Sequence, residues 1–341
     1  MKAVQSLGNK KSEIVDVPEP EPMDHLVVVK VMSSVICGTE HHGYYAPGPS
    51  PTHGGSGHEA AGIVAKVDEA KGVKEGDPVG ITPVMAEICH RCPACAAGEW
   101  LHCRNPGPRK GLSGTHSQYV LVPDYLCLPI PGDMSFDAGA MIGDCIGTPY
   151  RAIRRLGVKA GDTVLITGAG PIGATAAIIA KHLNARVIVV DVNDYRLGVA
   201  KQNGADYIFN PANDDVLERV REITGGLGVD AAVECSGNKD AQRQCLDAAR
   251  ACGGVAFLGI KNETVSVDMS QHFVLKELTL IGSWASSIPD QHEIIDQIQQ
   301  GMPVERIITH RFGMNDAPKA LDTFFNGEGV KIAIRPWDDL D

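Results

Sequence analysis

A chain of 341 residues is too long for one hydrophobic core, so two domains are expected. Its 31 basic and 42 acidic residues leave a net charge of −11, and no basic run offsets it, which argues against nucleic acid as a partner. No apolar stretch reaches the roughly 18 residues of a membrane span and the first residues lack a signal segment, so the ten cysteines are expected to stay reduced in the cytoplasm.

Residues 1 to about 145 are rich in glycine and proline, with short apolar–polar runs such as 25–31 and 118–122. This texture predicts an irregular, mostly antiparallel β domain. Within it lie Cys37-Gly-Thr39-Glu40-His41-His42 and Gly57-His58-Glu59, followed by four cysteines at 89, 92, 95 and 103. Three thiolates spaced by three residues converge from one looping segment, and a fourth closes a tetrahedron. That is the pattern of a closed structural zinc site. Disulfides among four cysteines so close in sequence would be strained.

The texture changes near Gly147. Apolar strands at 163–167 and 186–190 flank a helix from Pro171 to about Leu183, and further strands are expected at 206–208, 229–234, 254–258 and 279–281. Apolar strands alternating with helices predict a parallel sheet covered on both faces. The first strand runs into Gly168-Ala-Gly170-Pro171-Ile172-Gly173, and Asp191 ends the next strand. Strand, glycine loop, helix and acid together form the fingerprint of a dinucleotide site. The loop and helix N-terminus would receive the pyrophosphate, and Asp191 the ribose hydroxyls. Repulsion between Asp191 and a 2′-phosphate favours NAD over NADP, with Arg196 the one nearby cation able to pair with a phosphate. The tail from about 290 is expected to carry one helix and strands near Ile307 and Ile332, completing the first domain. The expected domains are therefore 1–146 with 290–341, and 147–289.

The order of these motifs, over essentially the whole chain, resembles the zinc-containing alcohol dehydrogenases of the medium-chain dehydrogenase/reductase superfamily. The resemblance implies an α/β fold: a Rossmann doubly wound parallel sheet beside a GroES-like, mostly antiparallel β catalytic domain. It implies that Cys37 and His58 bind a catalytic zinc. The third ligand is expected four residues before Thr148, a residue near the nicotinamide, which picks Asp144; adjacent Cys145 is the rival. Glu59 would sit beside the metal as a supporting or transient ligand. Three protein ligands leave a fourth position open, as catalytic zinc requires. Thr39 and His42 match the family's proton relay, although Glu40 stands where the family usually has Asp.

These implications amount to two zinc ions per chain, NAD as cofactor and a small alcohol as substrate. Asp144 matches bacterial secondary-alcohol enzymes, so a secondary alcohol or polyol oxidised reversibly to a ketone is expected. A threonine dehydrogenase or another alcohol dehydrogenase on the same scaffold is the alternative, and a non-catalytic NAD-binding protein a more distant one. Tyr44 and Tyr45 are candidates to place polar rings near the substrate. The strand at 279–283 would be an unpaired sheet edge, and edge pairing predicts a homodimer or homotetramer. His41, His53, His90, His102 and His116 match no ligand position and read as surface or capping residues. Cys127, Cys235, Cys245 and Cys252 read as buried thiols.

Overall fold

The computed structural model describes residues 1–49, 56–84, 86–108, 111 and 114–338; His53 falls outside them. The chain divides into two units, one of residues 1–144, 287–299 and 308–341, the other of 145–286 and 300–307.

The first unit is built on the ten-residue strand Leu26–Val35, whose valines and their neighbours are almost all buried. It pairs antiparallel with Glu59–Lys66, with Tyr119–Pro123 and, near its end, with Lys331–Arg335. Pro78–Ile81, Cys127–Pro129 and Ile308–Gly313 extend this into a seven-stranded sheet, in which Ile308–Gly313 and Lys331–Arg335 run parallel. Val27, Val29, Val31, Val64 and Val79 share one core cluster. The tail contributes two helices, Ile288–Gln299 and Ala317–Phe325, rather than the expected one. Pro318 signals a break in the sequence, yet it occupies the first turn of the second helix, where the missing N–H costs nothing. Ala317, Ala320, Leu321 and Phe324 then pack on Ile36, Ile332 and Ile334.

Asp137 anchors the helix Phe136–Met141 in this unit. Its carboxylate, 1% exposed, accepts from Ser33 Oγ at 2.7 Å, Arg311 Nε at 2.7 Å and Arg335 Nη2 at 2.7 Å. Burial opposes the charge, but Arg335, Ser33 and Arg311 together hold the carboxyl below its usual range. A carboxyl with a depressed folded pKa stabilises above its unfolded value of about 3.9 and loses that contribution as pH falls through the folded pKa. Asp137→Asn should therefore cost about 1.5–3 kcal/mol at pH 7 and progressively less below pH 4, read by urea unfolding at both pH values. Equal loss at pH 3 and pH 7 would contradict this account.

The second unit is a six-stranded parallel sheet ordered Tyr207–Phe209, Arg186–Val190, Thr163–Thr167, Val229–Glu234, Ala249–Phe257 and Thr279–Gly282. The order reverses beside Thr163–Thr167, all five of whose residues are buried. That reversal is where open α/β sheets take ligands. Thr279–Gly282 forms one edge of the sheet. The segment 300–307 joins this unit rather than staying with the rest of the tail, as Asn203 Nδ2 donates to Arg306 O at 3.3 Å. Among the described residues, no helix is long and apolar enough to cross a membrane.

Candidate metal centres and cofactor loop

Cys37 ends the central strand's exit and caps the short turn Gly38–Glu40, with Glu40 Oε1 accepting the Cys37 N–H at 2.8 Å. His58 precedes the strand Glu59–Lys66, whose pairing of Glu59 with Val35 brings His58 towards Cys37. Asp144 arrives on a π-helical turn, Ile142–Ile146, after the anchored helix. Such turns are frequent at functional sites. Gly143 packs so closely that an added Cβ would lie 2.4 Å from Pro83.

The ligand atoms of Cys37, His58, Glu59 and Asp144 all lie within 4.8 Å of one another. Asp144 Oδ2 is 3.1 Å from His58 Nε2 and 3.7 Å from Cys37 Sγ. Cys145, the rival, belongs to the second unit, where its Sγ is 3.4 Å from Thr175 Oγ1. Burial pushes the Cys37 thiol up, and the Asp144 carboxylate adds to that. Burial also opposes an imidazolium at His58, but the Asp144 hydrogen bond and Cys37 hold its pKa well above the usual range. A thiolate, an imidazole and a carboxylate suit a divalent ion of zinc's borderline character.

Glu59 is held differently. Lys331 Nζ donates to both its carboxylate oxygens, at 2.9 and 3.0 Å, and to Ile36 O at 3.0 Å. Both side chains are buried, 0% and 1% exposed. Burial raises the Glu59 carboxyl against the pull of Lys331, with Asp144 adding to the rise. Lys331 escaped the sequence reading, though a lysine opening the apolar strand Lys331–Arg335 was a signal of a buried partner. His116 escaped too: it is fully buried, not a surface residue.

Thr39 Oγ1 donates to Cys37 Sγ at 3.3 Å, and His42 is exposed on the following turn. Tyr44 does not offer a polar ring to a ligand. It is buried in the core, stacked on Phe325, and donates to Asp322 at 2.5 Å. Tyr45 is 46% exposed with its ring edge against Phe325. Cys252 is exposed, unlike the buried Cys127 and Cys245.

The second metal candidate is the quartet. Cys92 Sγ and Cys95 Sγ are 3.5 Å apart, and Cys89 Sγ and Cys95 Sγ 3.9 Å. Four sulfurs about 2.3 Å from a tetrahedral zinc lie about 3.8 Å from one another, close to these values and far from a disulfide's bond length. Backbone N–H groups aim at the sulfurs, from Cys89 to Cys103 at 3.3 Å and from Arg104 to Cys92 at 3.5 Å. Such donors, chiefly Arg91 N–H, lower the Cys89 thiol to about 6, while burial pushes Cys95 up to about 12.

In the second unit, the glycine loop joins the strand Thr163–Thr167 to the helix Pro171–His182. Gly168 has φ +89°, and a Cβ on Gly173 would fall 1.7 Å from Gly168 O, so neither position admits a side chain. Gly170 caps the helix, with Pro171 and Ile172 in its first turn. Asp191 accepts from Ala169 N at 2.5 Å and Asn193 N at 2.8 Å, which ties it to the loop. Arg196 Nη1 lies 3.9 Å from where a Gly170 Cβ would stand, and its Nε is buried with no partner among the described residues. Thr148 is buried in the first turn of the helix Gly147–Leu156, its carbonyl accepting from Ser283 Oγ at 3.2 Å.

Residues 23–132 match the alcohol dehydrogenase GroES-like domain, and residues 171–300 the zinc-binding dehydrogenase domain. An L-threonine 3-dehydrogenase of Chromobacterium violaceum is 34% identical over 94% of this chain and 95% of its own. Alcohol dehydrogenase TADH from Thermus sp. ATN1 superposes with a TM-score of 0.87 at 26% identity, covering 98% of this chain and 99% of that one. A putative zinc-binding dehydrogenase from Sinorhizobium meliloti 1021, bound to NADP, gives 0.84 at 29% identity, with coverage of 98% and 99%.

Proposed function

Because this chain belongs to the zinc-containing alcohol dehydrogenases of the medium-chain dehydrogenase/reductase superfamily, we propose that it oxidises a secondary alcohol carbon to a ketone, reversibly, using NAD. The observation that carries this reading is the carboxylate of Asp144 meeting Cys37 and His58 within 4.8 Å. These three would hold the catalytic zinc, and Cys89, Cys92, Cys95 and Cys103 the structural one. Zinc supplies Lewis acidity towards the substrate oxygen, and the nicotinamide accepts hydride.

The residues of the chain do the rest. Glycines 168, 170 and 173 with Pro171 and Ile172 would cradle the pyrophosphate, and Asp191 would orient the ribose. Thr148 would border the nicotinamide, as the resemblance implies. Glu59, neutralised by Lys331, stays a supporting carboxylate beside the metal. Thr39, giving up its own proton as it accepts one, and exposed His42 would serve the relay that carries the substrate's hydroxyl proton towards solvent, as the resemblance implies. The sum is alcohol plus NAD⁺ giving ketone, NADH and one proton.

L-Threonine is the second reading, favoured by the relatives that carry that name. Its hydroxyl also sits on a secondary carbon, so the chemistry is shared and only recognition differs. Following NADH absorbance over 2-butanol, diols, sorbitol, L-threonine, ethanol and benzyl alcohol, kcat/KM is expected to be highest on secondary carbons. A preference for ethanol or benzyl alcohol overturns the proposal, and turnover confined to L-threonine selects the second reading.

Two metal equivalents are expected, with different lability. A chelator should strip the open site first and stop turnover while the circular dichroism of the fold persists. Elemental analysis finding one zinc per chain would defeat this. Association of the second unit through the edge Thr279–Gly282, flanked by exposed Val274, Leu275 and Trp284, would give a dimer or tetramer. Light scattering returning the monomer mass at micromolar concentration would refute it.

A further inference from the structure

His116 lies outside every motif that the function uses, yet it is 0% exposed and engaged at both ring nitrogens. Its Nε2 is 2.9 Å from Glu40 Oε2, and its Nδ1 is 2.7 Å from Ser34 Oγ. Glu40 uses its other oxygen, Oε1, to accept the Cys37 N–H at 2.8 Å. Ser34 Oγ in turn donates to Glu59 O at 3.1 Å and lies 3.1 Å from Thr115 Oγ1. The ring thus closes a continuous hydrogen-bonded path from the backbone of Cys37 to the backbone that follows His58.

The backbone of His116 is fixed as well. Its N–H donates to Ser56 O at 2.8 Å, its carbonyl accepts from Val4 N at 2.8 Å, and Thr115 N donates to Gly57 O at 3.2 Å. Gly57, immediately before His58, has φ +92°, and a Cβ there would stand 2.7 Å from His116 Nδ1 and 2.7 Å from Thr115 Oγ1. The imidazole therefore occupies the space that a side chain at residue 57 would fill. Glu40 matters here through its length: its carboxylate reaches Cys37 N and His116 Nε2 together, one oxygen to each.

We propose that His116 is a positioning residue for the open metal centre, a buried strut that fixes the separation of Cys37 from His58 through Glu40 on one side and Ser34 on the other. It touches neither metal nor substrate. Its effect is on how well the two donors are arranged before the ion arrives. The inference rests on the reading of Cys37, His58 and Asp144 as a metal site.

The test uses the full-length, zinc-loaded protein. His116→Phe keeps a planar ring but removes both nitrogens, and His116→Gln restores one donor and one acceptor. Ser34→Ala cuts the path on the other side with little change in volume. Competition with a chromophoric chelator should show the labile zinc bound about 10- to 100-fold more weakly in His116→Phe, as for other outer-shell metal partners. Ser34→Ala should move in the same direction, and His116→Gln should recover most of the affinity. The visible absorption of the cobalt-substituted labile site should change in His116→Phe, while the cysteine quartet keeps its metal.

Wild-type labile-site affinity and an unchanged cobalt spectrum in either His116→Phe or Ser34→Ala overturn the inference. So does parallel weakening of both metal sites with a lowered Tm, which marks a merely structural role. Should His116→Phe fail to fold, an unaltered Ser34→Ala overturns the inference alone. A wild-type protein that takes up one metal equivalent removes the metal-centre reading, and the inference goes with it.

Discussion

Lys331→Met is expected to destabilise the protein by about 3–5 kcal/mol, measured by urea unfolding at pH 8. The ammonium is wholly buried and donates to both oxygens of Glu59 and to Ile36 O. Removing it leaves a buried carboxylate without its counter-charge, beside the carboxylate of Asp144. The cheapest escape is for Glu59 to take up a proton. A carboxyl whose folded pKa lies above its unfolded value binds more protons in the native state, so stability falls as pH rises between the two. Burial already raises this carboxyl with Lys331 present. Lys331→Met should raise it further, so the loss relative to wild type should be smaller at pH 5 than at pH 8. The double variant Glu59→Gln/Lys331→Met has no buried charge to compensate and should recover most of the stability. A loss under 1 kcal/mol at both pH values would show that the pair is not what holds this corner.

The second large effect concerns the cofactor. A 2′-phosphate about 4 Å from the Asp191 carboxylate meets about 4 kcal/mol of repulsion per unit charge at an effective dielectric of 20. That corresponds to roughly a thousandfold in kcat/KM for NAD over NADP at low salt, and less as ionic strength rises. Asp191 has little freedom to swing aside, because the N–H groups of Ala169 and Asn193 hold its two oxygens. Asp191→Ser should erase most of the preference, with Arg196 beside Gly170 then available to a phosphate. Comparable kcat/KM with both cofactors in the unmutated protein would refute the assignment.

The parallel unit was legible because its chemistry is local. Buried strands such as Thr163–Thr167 and Arg186–Val190 announce themselves as apolar runs, and the glycine loop between them has a fixed length. The convergence of the cysteine quartet was equally legible, since its four residues fall within one segment. The seven-stranded sheet was less so: its strand limits follow from pairings such as Leu26–Val35 with Lys331–Arg335, across some 300 residues of chain. Position 144 was reached through resemblance, and its approach to Cys37 and His58 depends on a π-helical turn that no periodicity reveals. Lys331 and His116 were missed for a shared reason. Each acts through partners far away in sequence, so neither forms part of a motif.

The discontinuity of the first unit sets the order in which a growing chain completes itself. Apart from residues 300–307, the second unit is one uninterrupted stretch and can close while synthesis continues. The first unit must wait for residues 308–341. Until Lys331 leaves the ribosome, Glu59 has no cation to meet and the Ser34–Val35 end of the strand Leu26–Val35 lacks its partner Lys331–Arg335, so that corner of the sheet stays open. A stall or stop codon shortly before position 331 therefore releases a chain whose second unit is whole and whose first unit is incomplete and exposed, a product for quality-control proteases rather than a weak enzyme.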